Sequence, residues 1–312
     1  GTKTMADIGK DLPTLINAGD HKEVLRFIRT KKLREPELTV NHGKALLKAA
    51  QKSPVGNGLD EGEYLAVIEQ VLLASLDLND LQFANICLKE LKNRFGPDSA
   101  RVRRLIGLCF EADGDLKNAL ATYDQMLATN PSSAFALKRK YCILKAQPEE
   151  GVNARTFLVS YLEKFGGDAG AWKEMGEVCL EVGDYTGAVY CWEELVLANP
   201  LDSGLHCHLG ELYATLGGFS DLKAARKHLA QALDLDMSNV RALYALVAVA
   251  ADYLDKVAAS SKKTKIDEHD AEVAKELVRY GAQKVCALYS KKGGRLYEAV
   301  TEVMGDYNRA DC

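Results

Sequence analysis

Two stretches of the chain repeat one another closely enough to dictate its architecture. The first carries Gly107, Phe110, Gly114-Asp115, Ala119 and Tyr123 and closes at Asn130-Pro131. The second carries Gly176, Cys179, Gly183-Asp184, Ala188 and Trp192 and closes at Asn199-Pro200. Corresponding residues stand at matching offsets. Pro131 and Pro200 are 69 residues apart, which leaves room for one more unit of about 34 residues between them. A chain with this period folds as a row of like units, each burying an apolar face against the next.

The spacing resembles the tetratricopeptide repeat, and each position has a physical reason. Gly107, Gly176 and Gly210 occupy the eighth position, where the first helix of a hairpin meets the second and a side chain would hold them apart. Ala84, Ala119, Ala154, Ala188 and Ala225 fill the small site on the second helix. Gly-Asp makes the turn, with glycine supplying a positive φ and aspartate capping the next helix. Pro131 and Pro200 lack an N–H and end the second helix.

With that register the remaining units appear. A degenerate one runs from about Tyr64 to Phe95-Gly96-Pro97, with Asn79-Asp80 at its turn. The middle unit, Ala134 to Asp168, turns through Gln147 to Gly151. The unit from Ser203 to Asn239 is expected to enlarge its turn by three residues, through Gly217-Gly218-Phe219-Ser220-Asp221. A helix begins near Val240, a mobile polar loop follows from Ser260 to Asp270, and a partner helix covers about 271–290. Residues 295–312 are read as one more short helix. Earlier, Asp20 to Glu23 reads as a capping box and Pro36 opens a helix to about Gln51; a loop from Ser53 to Gly62 precedes the array.

The expected class is therefore all-α, a tetratricopeptide-type helical-hairpin solenoid (an α-α superhelix). The expected domains are N-terminal helices at 5–58, the repeat array at 59–258, and a polar loop with capping helices at 259–312. Residues 1–4 precede Met5 and read as a cloning remnant.

Composition narrows the function. A net charge of -4 gives no general attraction to nucleic acid. The most apolar stretch, Ala242 to Ala251, is far short of the roughly 20 residues a membrane span needs. Eight cysteines are scattered without a CxxC pair and are expected to be reduced, buried, structural thiols, terminal Cys312 excepted. His206-Cys207-His208 is the one local group with metal-ligand types, but helical residues two apart point about 200° apart, so no metal is expected there. No phosphate-binding loop or dinucleotide fingerprint occurs, and neither catalysis nor a cofactor is expected.

In such repeats the first helix of each hairpin lines a groove, and positions two, five, nine and twelve face a bound segment. Position five is Arg104, Lys138 and Lys173 in three successive units, with Arg101 at position two and Lys145 at position twelve. These five residues are the candidate partner-binding groove, suited to an acidic peptide or a C-terminal carboxylate. Chaperone-binding repeats pair a position-five Lys with a position-nine Asn; here position nine is Leu108, Cys142 and Glu177.

A longer string is more specific. Cys87 to Phe95, Arg101 to Ala112, Ala119 to Asp124, Leu137 to Lys140 and Tyr161 to Phe165 resemble the subunit 2 family of the endoplasmic reticulum membrane protein complex, as do Ala171-Trp172, Glu193 to Leu195 and Ala230 to Leu233. The resemblance spans roughly residues 60–250. It implies a cytosolic scaffold of a membrane-protein insertase, peripheral on the cytoplasmic face and joined to the membrane through partners. The implied partners are subunit 8 or 9, the cytosolic tail of subunit 5, and subunit 3. The alternative is a co-chaperone or adaptor that holds acidic C-terminal tails in its groove.

Overall fold

The computed structural model describes residues 11–52, 60–146, 151–259, 268–290 and 293–308, and the regular structure among them is helical throughout. The chain divides into two compact units, residues 1–151 and 152–312.

The first unit contains α1 (Leu12–Asn17), α2 (His21–Lys31), α3 (Pro36–Lys52), α4 (Glu61–Asp77), α5 (Leu81–Phe95), α6 (Ala100–Ala112), α7 (Leu116–Thr129) and α8 (Ala134–Ala146). The second contains α9 (Gly151–Lys164), whose first residue falls before the division, then α10 (Ala169–Glu181), α11 (Tyr185–Ala198), α12 (Ser203–Leu216), α13 (Phe219–Leu235), α14 (Val240–Ala259), α15 (Glu268–Ser290) and α16 (Gly294–Asn308). Neighbours in sequence pack as antiparallel hairpins, among them α4 on α5, α6 on α7, α10 on α11 and α12 on α13.

Aspartates start many of the helices. Asp115 accepts a hydrogen bond from the Asn118 amide at 3.2 Å and Asp184 from the Gly187 amide at 2.9 Å, and each such cap is worth about 1 kcal/mol. Before each of these caps, Gly114 and Gly183 take the left-handed conformation that closes the hairpin, with φ of 78° and 75°.

The small residues do what the repeat reading expects, and the structure shows what they receive. A Cβ at Gly107 would stand 2.5 Å from the Tyr123 ring, and one at Gly210 would stand 2.7 Å from Leu229 Cγ. Gly176 faces the Trp192 ring in the same way. The glycine thus admits the large side chain that follows the small-residue site on the second helix. Ala84, Ala119, Ala154, Ala188 and Ala225 are all buried.

Three expectations are corrected. The extra residues near Gly217 do not enlarge a turn: only Gly217 and Gly218 separate α12 from α13. Gly217 adopts φ 72°, and the Asp221 carboxylate accepts the Gly218 amide at 3.2 Å, so Phe219 to Asp221 become the first turn of a longer α13. The polar loop is shorter than expected. Residues 268–270 open α15, and Asp270 is anchored by Lys223 and by Arg226, whose Nη1 donates to the Asp270 carbonyl at 3.1 Å. Likewise Asp60 caps α4 through the Glu63 amide at 2.7 Å, so helix begins at Glu61 rather than after Gly62. The expectations for residues 1–4, 53–59, 147–150, 260–267 and 309–312 lie outside the described residues.

Candidate partner-binding face

The sequence-derived groove residues sit on three helices, α6, α8 and α10. Arg101 and Arg104 lie on α6, Lys138 and Lys145 on α8 of the same unit, and Lys173 on α10 of the second unit.

Arg101 and Arg104 are brought together by an acidic side chain that the groove reading did not include. Glu69 on α4 accepts Arg101 Nε on one oxygen at 2.7 Å and Arg104 Nη2 on the other at 2.6 Å. Each guanidinium also lies over a ring, Arg101 4.8 Å from the Phe95 centroid and Arg104 5.4 Å from that of Phe135. Arg104 Nε is buried without a hydrogen-bond partner among the described residues. Two cations and one carboxylate leave this cluster net positive. Glu69 holds position five of the degenerate repeat, so extending the position-five reading back by one unit finds it.

On α8, Lys138, Cys142 and Lys145 follow one another at i, i+4 and i+7, and all three are exposed on one face. Cys142 is therefore not the buried thiol expected of it, because position nine of a first helix points outward. Cys87, Cys179, Cys191 and Cys207 are buried as expected, while Cys109 and Cys286 are intermediate; Cys312 lies outside the described residues. Lys173 is well exposed, with its ammonium 4.0 Å from Glu177 one turn on.

The three helices α6, α7 and α8 are joined by a partly buried ionic knot that no repeat rule signals. Glu111 on α6 binds Arg139 of α8, with Nε at 2.9 Å, and accepts the hydroxyl of Tyr123 from α7. Burial and this carboxylate push the Tyr123 phenol well above its ordinary range, and the bond to Glu111 raises Arg139. Both groups therefore hold one protonation state, and the knot fixes three helices.

The histidines of α12 diverge. His206 is buried, donating from Nε2 to the Pro200 carbonyl at 3.1 Å and meeting His228 of α13 Nδ1 to Nδ1 at 3.1 Å. His208 instead lies against Trp192 and faces Glu211. Among the described residues no group of three or more His, Cys, Asp or Glu side chains is placed to hold a metal ion, and no helix is long and apolar enough to cross a membrane.

The model of the EMC2 TPR-like repeat domain matches residues 81–224. An ER membrane protein complex subunit 2 from Xenopus tropicalis is 36% identical over 248 residues, covering 79% of this chain and 80% of that protein. The chain belongs to this family. A subunit 2 from Dictyostelium discoideum is 32% identical and covers 69% of this chain and 65% of its own length. The TPR repeat protein oca3 of Schizosaccharomyces pombe is 32% identical over 51% of this chain and 56% of its own. Among solved structures, the C-terminal part of a TPR repeat-containing protein from Cytophaga hutchinsonii superposes with a TM-score of 0.51 at 10% identity, covering 93% of this chain and 97% of that one, a likeness of fold alone. Membership makes the chain a tetratricopeptide-type scaffold and a subunit of an ER membrane protein complex.

Proposed function

We propose that this chain is a non-catalytic scaffold on the cytoplasmic face of the endoplasmic reticulum, bridging cytosolic and membrane subunits of a membrane-protein insertase. In this reading residues 59–258 are the scaffold proper, residues 5–58 brace its first hairpin and 259–312 cap its last. The membrane subunits carry the insertion chemistry, and the chain reaches the bilayer only through them. Subunit 8 or 9, subunit 3 and the cytosolic tail of subunit 5 are the proposed neighbours.

The observation that carries the reading is the cationic face of α6 and α8 in a chain of this family. Arg101, Arg104, Lys138 and Lys145 suit an acidic segment or a chain end, which binds through charge-assisted hydrogen bonds. Lys173 extends the same chemistry in the second unit.

The test is affinity isolation of the tagged chain from mild-detergent membranes, with partners identified by mass spectrometry. Stoichiometric membrane subunits are expected. Recovery of soluble chaperones alone would overturn the scaffold reading in favour of an adaptor. The groove is tested by Lys138→Glu with Lys145→Glu, both exposed, and separately by Lys173→Glu. Helical content should be unchanged while the acidic partner tail is lost. Arg104→Glu is a less clean probe because it sets a second carboxylate against Glu69.

A further inference from the structure

Leu201, Leu197 and Met237 are the three most exposed large hydrophobic side chains among the described residues, at 81%, 75% and 72%. All three belong to the second unit and lie at links where one hairpin hands over to the next. Leu197 is in the last turn of α11, Leu201 in the link to α12, and Met237 in the link from α13 to α14. The exposed Val240 opens α14 beside them.

These links are pinned. The Ser203 hydroxyl donates to the Ala232 carbonyl at 2.9 Å and accepts from the Asn239 amide at 3.0 Å, tying one link to the other. His206 holds the Pro200 carbonyl, and Asp202 holds the first amides of α12 at 2.8 and 3.2 Å. Asp236 holds the Ser238 amide at 2.9 Å. Apolar side chains on a fixed backbone lose little further freedom when covered, which is the economy of a preorganised docking surface. Residues 198–204 also line an open depression of about 600 Å³.

Charge identifies the partner. Residues 194–204 and 230–240 contain no Lys or Arg but include Glu194, Asp202, Asp234 and Asp236, and the Arg241 that follows is matched by the Glu211 carboxylate. An apolar patch with an acidic rim repels the anionic headgroups of a bilayer and repels a second copy of itself. We infer that this edge docks a basic amphipathic segment of a partner protein, in which large apolar side chains are flanked by Lys or Arg. The site is the chemical opposite of the cationic face of α6 and α8. It rests on the chain's place in a multi-subunit assembly and not on that cationic face.

The experiment uses the full chain in the isolated complex, with Leu201→p-benzoylphenylalanine as a photo-crosslinking probe and the crosslinked peptide sequenced. A peptide of a partner subunit with apolar residues next to Lys or Arg is expected. Its yield should drop several-fold when Asp234→Lys is added, and Leu201→Ser with Met237→Ser should loosen that subunit while leaving thermal unfolding unchanged. Crosslinks only to lipid, to a second copy of the chain or to an acidic peptide would overturn the proposal. So would an assembled complex that gives no crosslink at 201. Failure of the unmodified chain to recover any subunit would instead overturn the scaffold reading and take this proposal with it.

Discussion

The Gly107 α-carbon lies against the Tyr123 ring so closely that a Cβ would stand 2.5 Å from Cε1. The ring cannot swing aside, because its hydroxyl is held by Glu111 and Glu111 is held by Arg139. Gly107→Ala therefore gains about 0.5–1 kcal/mol of helix propensity but incurs about 1–3 kcal/mol of overpacking. A net loss of about 1–2 kcal/mol is expected by urea unfolding. Gly305→Ala, in α16 with nothing within 4 Å of its Cβ position, should be neutral or stabilising; equal losses at both positions would remove the wedge argument.

Glu111→Gln keeps the shape of the ionic knot and removes its charge. Arg139 would keep a partner but lose a charge-assisted one, and Tyr123 would lose its acceptor or share it. Because Arg139 is about a third exposed, water recovers part of the loss, and a cost of about 2 kcal/mol is expected. Arg139→Met, which removes the cation, should cost a similar amount by leaving the mostly buried carboxylate with the Tyr123 hydroxyl but no counter-charge. A change below about 0.5 kcal/mol in both would mean that the knot is ornamental.

Acidification should unfold the chain through two histidine pairs, one in each unit. His206 donates from Nε2 to Pro200, so its Nδ1 accepts the hydrogen bond that His228 donates from Nδ1. His21 and His42 meet Nδ1 to Nδ1 at 2.8 Å. Burial lowers His42 and His228 below their ordinary value of 6.5, as does the neighbouring histidine; for His228, Glu193 works against this and Lys227 with it. A lowered histidine binds protons more readily when unfolded, so its stabilisation is complete above about pH 6.5 and is lost as pH falls from there through the folded value. Thermal midpoints should fall more steeply below pH 6.5 for the native chain than for His42→Asn with His228→Asn. Parallel slopes would rule the pairs out.

Cysteine alkylation should be ordered by position in the repeat. Burial pushes Cys87 and Cys191 up to about 12 and Cys207 up to about 11, while Cys142 is exposed on α8. Among the described cysteines, iodoacetamide at neutral pH should modify Cys142 first, as read by peptide mass spectrometry. Prior modification of Cys87 would contradict the burial of α5.

The repeat was legible because its rules are local. Gly107 and Ala119, Gly114 and Asp115, and Asn130 and Pro131 each act within one hairpin, so their spacing alone locates α6 and α7. Where the rule depends on a choice between two local states, the sequence misled. Gly217-Gly218-Phe219-Ser220-Asp221 has the composition of a loop, yet one left-handed glycine and the Asp221 cap suffice to make it helix. Longer-range partners were hidden for another reason. Glu69 reaches Arg101 and Arg104 across 32 and 35 residues, a pairing set by how one hairpin stacks on the next. The position-five pattern predicted the cations and their helix face, not the carboxylate already between two of them.

Three hairpins are closed by wedges of different cut: Tyr123 at Gly107, Trp192 at Gly176 and Leu229 at Gly210. A chain of near-copies is prone to fasten one helix to the counterpart of another as it emerges and collapses. An indole does not fit the notch shaped for a tethered phenol, and a leucine leaves it half empty. The repeats are alike enough to stack and unlike enough that each second helix fits its own first helix better than another's.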